Sequence, residues 1–246
     1  MSTNSPRHSE NVTNFGVLYS KTTTYGSKYN PSNELYAPSN LQKIKADGES
    51  ALNQVNFAEV NYKSAISAQT ESFEGFDQYI TRVANTLNIC GASSQLIEQG
   101  QSLIRQIRGK RVSELLSDED IALAKEKGEE SKQNTMHNST INIRIENFGK
   151  LVAFLGNIPQ YNPNETDLSI NAMKEKHSSL KSKQETVINT KIALEVARNN
   201  RDKILYKLDT GLVDIALSVK LYVKAAFGAN STEFKQISAI HFSKLN

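Results

Sequence analysis

Between Asn164 and Thr210 the chain carries neither a glycine nor a proline, and this run restricts the possible folds more than any other feature. A helix filling the interval would reach roughly 70 Å at 1.5 Å per residue. Thr166, Met173, Leu180, Val187, Leu194, Arg201, Leu208, Ile215 and Tyr222 fall at every seventh position. The companion positions His177, Gln184, Lys191 and Arg198 are polar, so the predicted seam is narrow over that stretch. In the first half, alternating steps of three and four pick out Leu52, Val55, Glu59, Tyr62, Ile66, Gln69, Phe73, Phe76, Ile80, Val83, Leu87 and Cys90. All but Glu59 and Gln69 are apolar, aromatic or cysteine. This is a heptad-like seam, and it predicts long amphipathic helices; the period-two alternation of a strand is absent.

The punctuation of the two halves also matches. "KYNPSNE" (28–34) and "QYNPNET" (160–166) each place Tyr-Asn-Pro and a carboxylate ahead of a long helical run. Asn-Pro holds the chain extended and presets a helix-compatible φ, while Glu34 or Glu165 suits a helix N-terminus. "CGASS" (90–94) and "FGANS" (227–231) each end an apolar run with a glycine suited to a left-handed cap, followed by a serine to start the next helix. Asp77 and Asp214 stand at the same distance before those glycines, and Gly75 and Gly211 lie just upstream. A turn or sharp kink is expected at Gly75 and at 209–211. The shared order predicts an internal duplication of one helical unit.

Ser, Thr and Asn dominate residues 1–33, which reads as a disordered tail unable to bury enough apolar surface to offset its ordering entropy. The expected organisation is therefore a tail over 1–33, a first helical unit over 34–110, a charged connection over 111–138, and a second unit over 139–246. Ser94 to Arg108 should form an amphipathic helix closed by Gly109, and Ser139 should cap a helix ended by Gly156 and Pro159. The fold class expected is all-α: an elongated antiparallel bundle of two related units.

Chemistry is sparse. His8, His137, His177 and His241 are scattered, and no Glu-x-x-His pair, HExxH, CxxC, EF-hand loop, Walker A loop or GxGxxG is present. No catalytic, cofactor-binding or metal-binding residue is assigned. Cys90, the one cysteine, excludes an intrachain disulfide and reads as a buried, inert thiol on the seam. Net charge is +3, too mild to demand an anionic partner. The basic stretches "RQIRGKR" and "ARNNRDK" supply the candidate anion or nucleic-acid contacts Arg105, Arg108, Lys110, Arg111, Arg198, Arg201 and Lys203. Against that role, the first is followed at once by Glu114, Asp118, Glu119 and Asp120, and the aromatic-and-basic pattern of single-strand binders is missing. The longest uninterrupted apolar run, Leu151 to Leu155, is far short of the roughly 20 residues that span a bilayer. A cytoplasmic protein is expected.

Two C-terminal stretches, "RIENFGKLVAFLGNIPQYNPNETDL" and "TGLVDIALSVKLYVKAAFGANSTEFKQI", resemble a family of bacterial α-helical proteins of unknown function. The similarity covers about residues 140–242 and is most specific at "YNPNE", "TGLVD" and "FGANS". It implies a bacterial origin and a helical fold, and no site residue comes with it. The functional expectation is a non-enzymatic scaffold or protein-interaction module that self-associates through exposed seam, with nucleic-acid or anionic-surface binding as the alternative.

Overall fold

In the computed structural model, which describes residues 5–109 and 130–244, the described chain is all-α, with no strand. The helices are α1 (Ser5–Thr24), α2 (Pro38–Ser72), α3 (Phe76–Ile89), α4 (Ser94–Arg108), α5 (Glu130–Gly156), α6 (Ile170–Tyr206), α7 (Leu212–Phe227) and α8 (Thr232–Ser238). Short 3₁₀ turns at Glu34–Tyr36 and Thr166–Leu168 precede α2 and α6.

The order helix, 3₁₀ turn, long helix, helix, helix thus occurs twice, as α1–α4 and as α5–α8. The matching punctuation does matching work. Tyr29 and Tyr161 are both buried, and each hydroxyl donates to the carbonyl seven residues on, that of Tyr36 (2.8 Å) and of Leu168 (3.3 Å). Burial, first among the causes, pushes both phenols far above their usual range. The tyrosine of Tyr-Asn-Pro is therefore an anchor under the loop rather than punctuation. Glu34 lies in its 3₁₀ turn and Glu165 caps the other, so neither sits at an α-helix N-terminus as expected. Pro38 opens α2 instead, where a missing N–H costs nothing.

Both expected breaks are turns. Gly75 adopts φ +69°, and at the second break Asp209 takes the left-handed conformation at φ +64°. Gly211 is required there for a different reason: an added Cβ would lie 2.6 Å from the Lys207 backbone nitrogen and 2.7 Å from its oxygen. Gly91 and Gly228 have the left-handed φ expected of helix caps, and Ser93 and Ser231 cap α4 and α8.

Contacts divide the chain into two compact units: Met1–Lys63 with Asn189–Asn246, and Ser64–Ile188. These are not the sequential units 34–110 and 139–246 expected from the repeat. In the first unit, α1 packs on α7 and α8, so Val12, Phe15 and Leu18 share a core with Leu205, Leu212, Ile215, Val219, Val223 and Ile237. In the second, α4 packs on α5 and α3, joining Phe76, Ile80, Leu87, Ile104 and Ile107 to Ile145, Phe148, Leu151 and Leu155. The leading helix of each half packs on the trailing helices of the other, so neither half closes a core alone.

The tail reading of residues 1–33 is also overturned. Residues 5–24 form a helix whose Phe15 and Leu18 are fully buried. Apart from Val12, its remaining inward positions are polar but partnered. Asn11 brackets the backbone of Ser243, donating to its carbonyl (2.9 Å) and accepting from its N–H (3.0 Å). Asn14 donates to the His241 carbonyl at 2.8 Å. Helix α5 starts at Glu130 and runs through Ser139, which is thus interior rather than a cap; residues 130–138 belong to this helix, and the rest of the expected connection, 111–129, lies outside the described residues.

Within the second unit, Phe76 and Phe148 meet edge to face with centroids 5.2 Å apart, and the Arg144 guanidinium lies over the Phe73 and Phe76 rings while pairing with Asp77. The seam carries one buried polar pair, Gln69 donating to Gln184. A Cβ added at Gly149 would crowd the His177 ring and one at Gly100 the Leu87 side chain, so either substitution would force the facing side chain to shift.

Candidate interaction surface

The face best suited to a partner lies on the first unit, between α2 and the C-terminal part of α6. Val55, Ala58 and Leu194 form a small buried cluster, with Tyr62 and Ala197 half-buried beside it. Alanine at 58, 193 and 197 fills little volume, and a groove of about 610 Å³ remains, bordered by Phe57 and Val196. Phe57 is 69% exposed and Val196 61%. Val60 (64%) and Ile192 (53%) are exposed as well. Spacings of three on α2 and four on α6 place each pair on one helix face. Large apolar side chains so exposed on adjoining helices are the kind of patch that marks a docking site. Gln54, Asn199, Asn200 and Lys203 supply the polar edge.

The charges around this face are largely internal. Lys63 pairs with Glu59 at 2.8 Å. That hydrogen bond, with Arg198 contributing, holds the Glu59 carboxyl below its usual range. Arg201 is almost covered and pairs with Asp202 at 2.8 Å. Of the expected basic contacts on α6, only Lys203 is both exposed and at the groove edge. Arg105 and Arg108 are exposed in the last turn of α4, in the other unit, where cations complement the helix dipole. Arg108 donates to Thr81 Oγ1 at 2.9 Å. Lys110 and Arg111 lie outside the described residues. The structure does not bring the two basic stretches together within one unit.

A second polar cluster, also in the first unit, is closed. Asn11 donates to the Tyr206 hydroxyl at 3.2 Å, and that hydroxyl lies 2.8 Å from His8 Nδ1. The tyrosine oxygen accepts from Asn11, and the direction of its bond to His8 follows the imidazole tautomer. Burial, then the Arg201 charge, lowers the His8 pKa below its ordinary 6.5, while burial raises that of Tyr206. The cluster ties α1 to α6 and to the segment after α8. His8 is buried. Cys90 is half-buried rather than buried, its thiol donating to the Leu87 carbonyl at 3.1 Å. Among the described residues, no group of three or more His, Cys, Asp or Glu is placed to hold a metal ion, and no helix is long and apolar enough to cross a membrane.

No family model, no curated protein and no solved structure matches this chain. The surface must therefore be argued from its own chemistry.

Sequence reasoning missed Phe57, Val60 and Val196 because it followed the seam. The usable signal was the reverse: large apolar residues that fall off the stripe of an otherwise amphipathic helix.

Proposed function

We propose that the protein is a non-enzymatic helical scaffold, an interaction module that docks an apolar helix face, a second copy included, in the groove between α2 and α6. The exposure of Phe57 and Val196 on either side of an alanine-lined groove carries this reading. Each large apolar side chain buried on docking contributes about 1.5–3 kcal/mol, so a few suffice to define a hot spot, while the Asn and Gln edge confers solubility. The resemblance at "YNPNE", "TGLVD" and "FGANS" favours a bacterial protein but adds no chemistry.

Anion binding through the α6 basic stretch has weaker support, because Arg201 is committed to Asp202 and Arg198 faces Glu59. The deciding experiment is light scattering over a concentration series with wild-type protein and the double variant Phe57→Asp, Val196→Asp. A mass that rises with concentration in the wild type and stays monomeric in the variant supports the groove. Equal masses at all concentrations remove self-association. Binding of an oligonucleotide that weakens steeply with salt would favour the phosphate reading instead.

A further inference from the structure

We infer that each half of the chain is built to pair with a matching half, so that a second copy of this chain is a partner taken up by exchange of halves. The first observation is the split of the cores. In the first unit Val12, Phe15 and Leu18 come from the first half, and Leu212, Val219 and Val223 from the second. In the second unit the roles reverse, with Phe76, Ile80 and Leu87 from the first half and Phe148, Leu151 and Leu155 from the second.

Polar contacts also cross between the halves. His8 with Tyr206, Asn11 with Ser243, Tyr25 with the Glu233 carbonyl, Gln69 with Gln184, Arg82 with Asp167, and Arg144 with Asp77 all join one half to the other.

The second observation is that the halves carry equivalent parts in equivalent places. Once α1 is aligned with α5, Asn14-Phe15-Gly16 falls on Asn147-Phe148-Gly149. Phe15 and Phe148 are both fully buried. Gly16 faces Lys45 and Gly149 faces His177, residues at corresponding positions of α2 and α6. Tyr29 and Tyr161 make the same hydrogen bond to the residue seven further on.

None of these contacts depends on both halves belonging to one molecule. Residues 110–129 are all that joins α4 to α5 in sequence. A chain folding at low concentration closes on itself. Chains folding together at high concentration form a closed pair in which each first half packs with the other molecule's second half, and every buried group keeps its partner.

The test uses two full-length chains, one tagged at the N-terminus and the other at the C-terminus, each with a protease site inserted within 110–129. They are unfolded together in urea and refolded over a concentration series, and in parallel coexpressed so that no refolding step is involved. Exchange predicts a doubly tagged dimer whose share grows with refolding concentration. Cutting both connections should drop it to monomer mass while the two tags still purify together. A groove-mediated dimer behaves oppositely: it keeps its mass after cutting and is lost with Phe57→Asp. Absence of any dimer up to hundreds of micromolar, by either route, would overturn the inference. So would a dimer whose tags part on cutting.

Discussion

Replacing Phe15 with alanine separates a docked first helix from a loose N-terminal segment. The ring is fully buried against the core of the first unit. A buried aromatic side chain removes about 150–250 Å² from water. At about 25 cal/mol/Å² that amounts to roughly 4–6 kcal/mol, an upper value because the unfolded chain already hides part of its surface. Truncations of buried Phe to Ala cost about 3–5 kcal/mol, cavity included. A residue on a loose tail would cost no more than about 0.5 kcal/mol. The two readings thus differ by several kcal/mol. Urea titration measures the loss, and hydrogen exchange of α1 amides should accompany it because the two units need not unfold together. The matched control is Phe148→Ala, whose ring is equally buried and stacks on Phe76. A Phe15→Ala variant within 0.5 kcal/mol of wild type, on the scale of a surface change, would refute the packing described for the first unit. So would wild-type α1 amides that exchange at the rate of a free peptide.

Tyr29→Phe and Tyr161→Phe should each cost about 1–2 kcal/mol in a thermal melt, since each leaves a carbonyl without its donor. A cost at one position and none at the other would deny their equivalence. Gly211→Ala should destabilise by about 1–3 kcal/mol, because its Cβ meets Lys207 backbone atoms that cannot rotate away. Gly16→Ala meets only the far end of Lys45 at 3.4 Å, and gains about 0.5–1 kcal/mol of helix propensity, so its melting temperature should hold or rise. The first unit should weaken in mild acid. The His8 pKa is lowered in the fold, so below about 6.5 the unfolded chain binds the proton more readily. Stability present at neutral pH is then lost as pH falls through 6.5 toward the folded value. Urea midpoints at pH 7.5 and 5.5 measure the loss, which His8→Gln should flatten.

The helical class was legible because the seam was real. Val55, Phe76, Ile80, Val83, Leu87, Met173, Leu180, Val187 and Ile215 are all buried where the three-and-four spacing puts them. Glycine positions were equally informative, since Gly75, Gly91, Gly109 and Gly228 all take positive φ at helix ends. What failed was the treatment of polar residues on a helix face as solvent-facing. Gln184 was read as narrowing the seam, yet it is buried against Gln69. On α1 the inward stripe is His8, Asn11, Val12, Phe15, Leu18 and Thr22, three of the six polar, and all are buried. A hydropathy pattern scores such a stripe as disorder, because it cannot see the Tyr206 hydroxyl or the Ser243 backbone that repays the desolvation. The exposed apolar face was hidden for the complementary reason: Phe57 and Val196 add nothing to the periodicity and so passed as noise.

The tail and the sequential units were misread from one cause. A composition argument asks whether a segment can bury its surface among its neighbours, and α1 has few close in sequence. Its partners Tyr206 and Ser243 stand about two hundred residues away. Yet the repeat contained the correction. If α5 is needed to complete the core around α3 and α4, then an equivalent helix is needed for α7 and α8. Among the described residues, a helix near the start of the chain supplies it. The shared Asn-Phe-Gly names that helix and gives its register. Two halves with matching punctuation, one of which lacks an expected element, are thus better read as a demand for that element. The same logic underlies the exchange between chains proposed above, since a core assembled from two halves is indifferent to which molecule provides each.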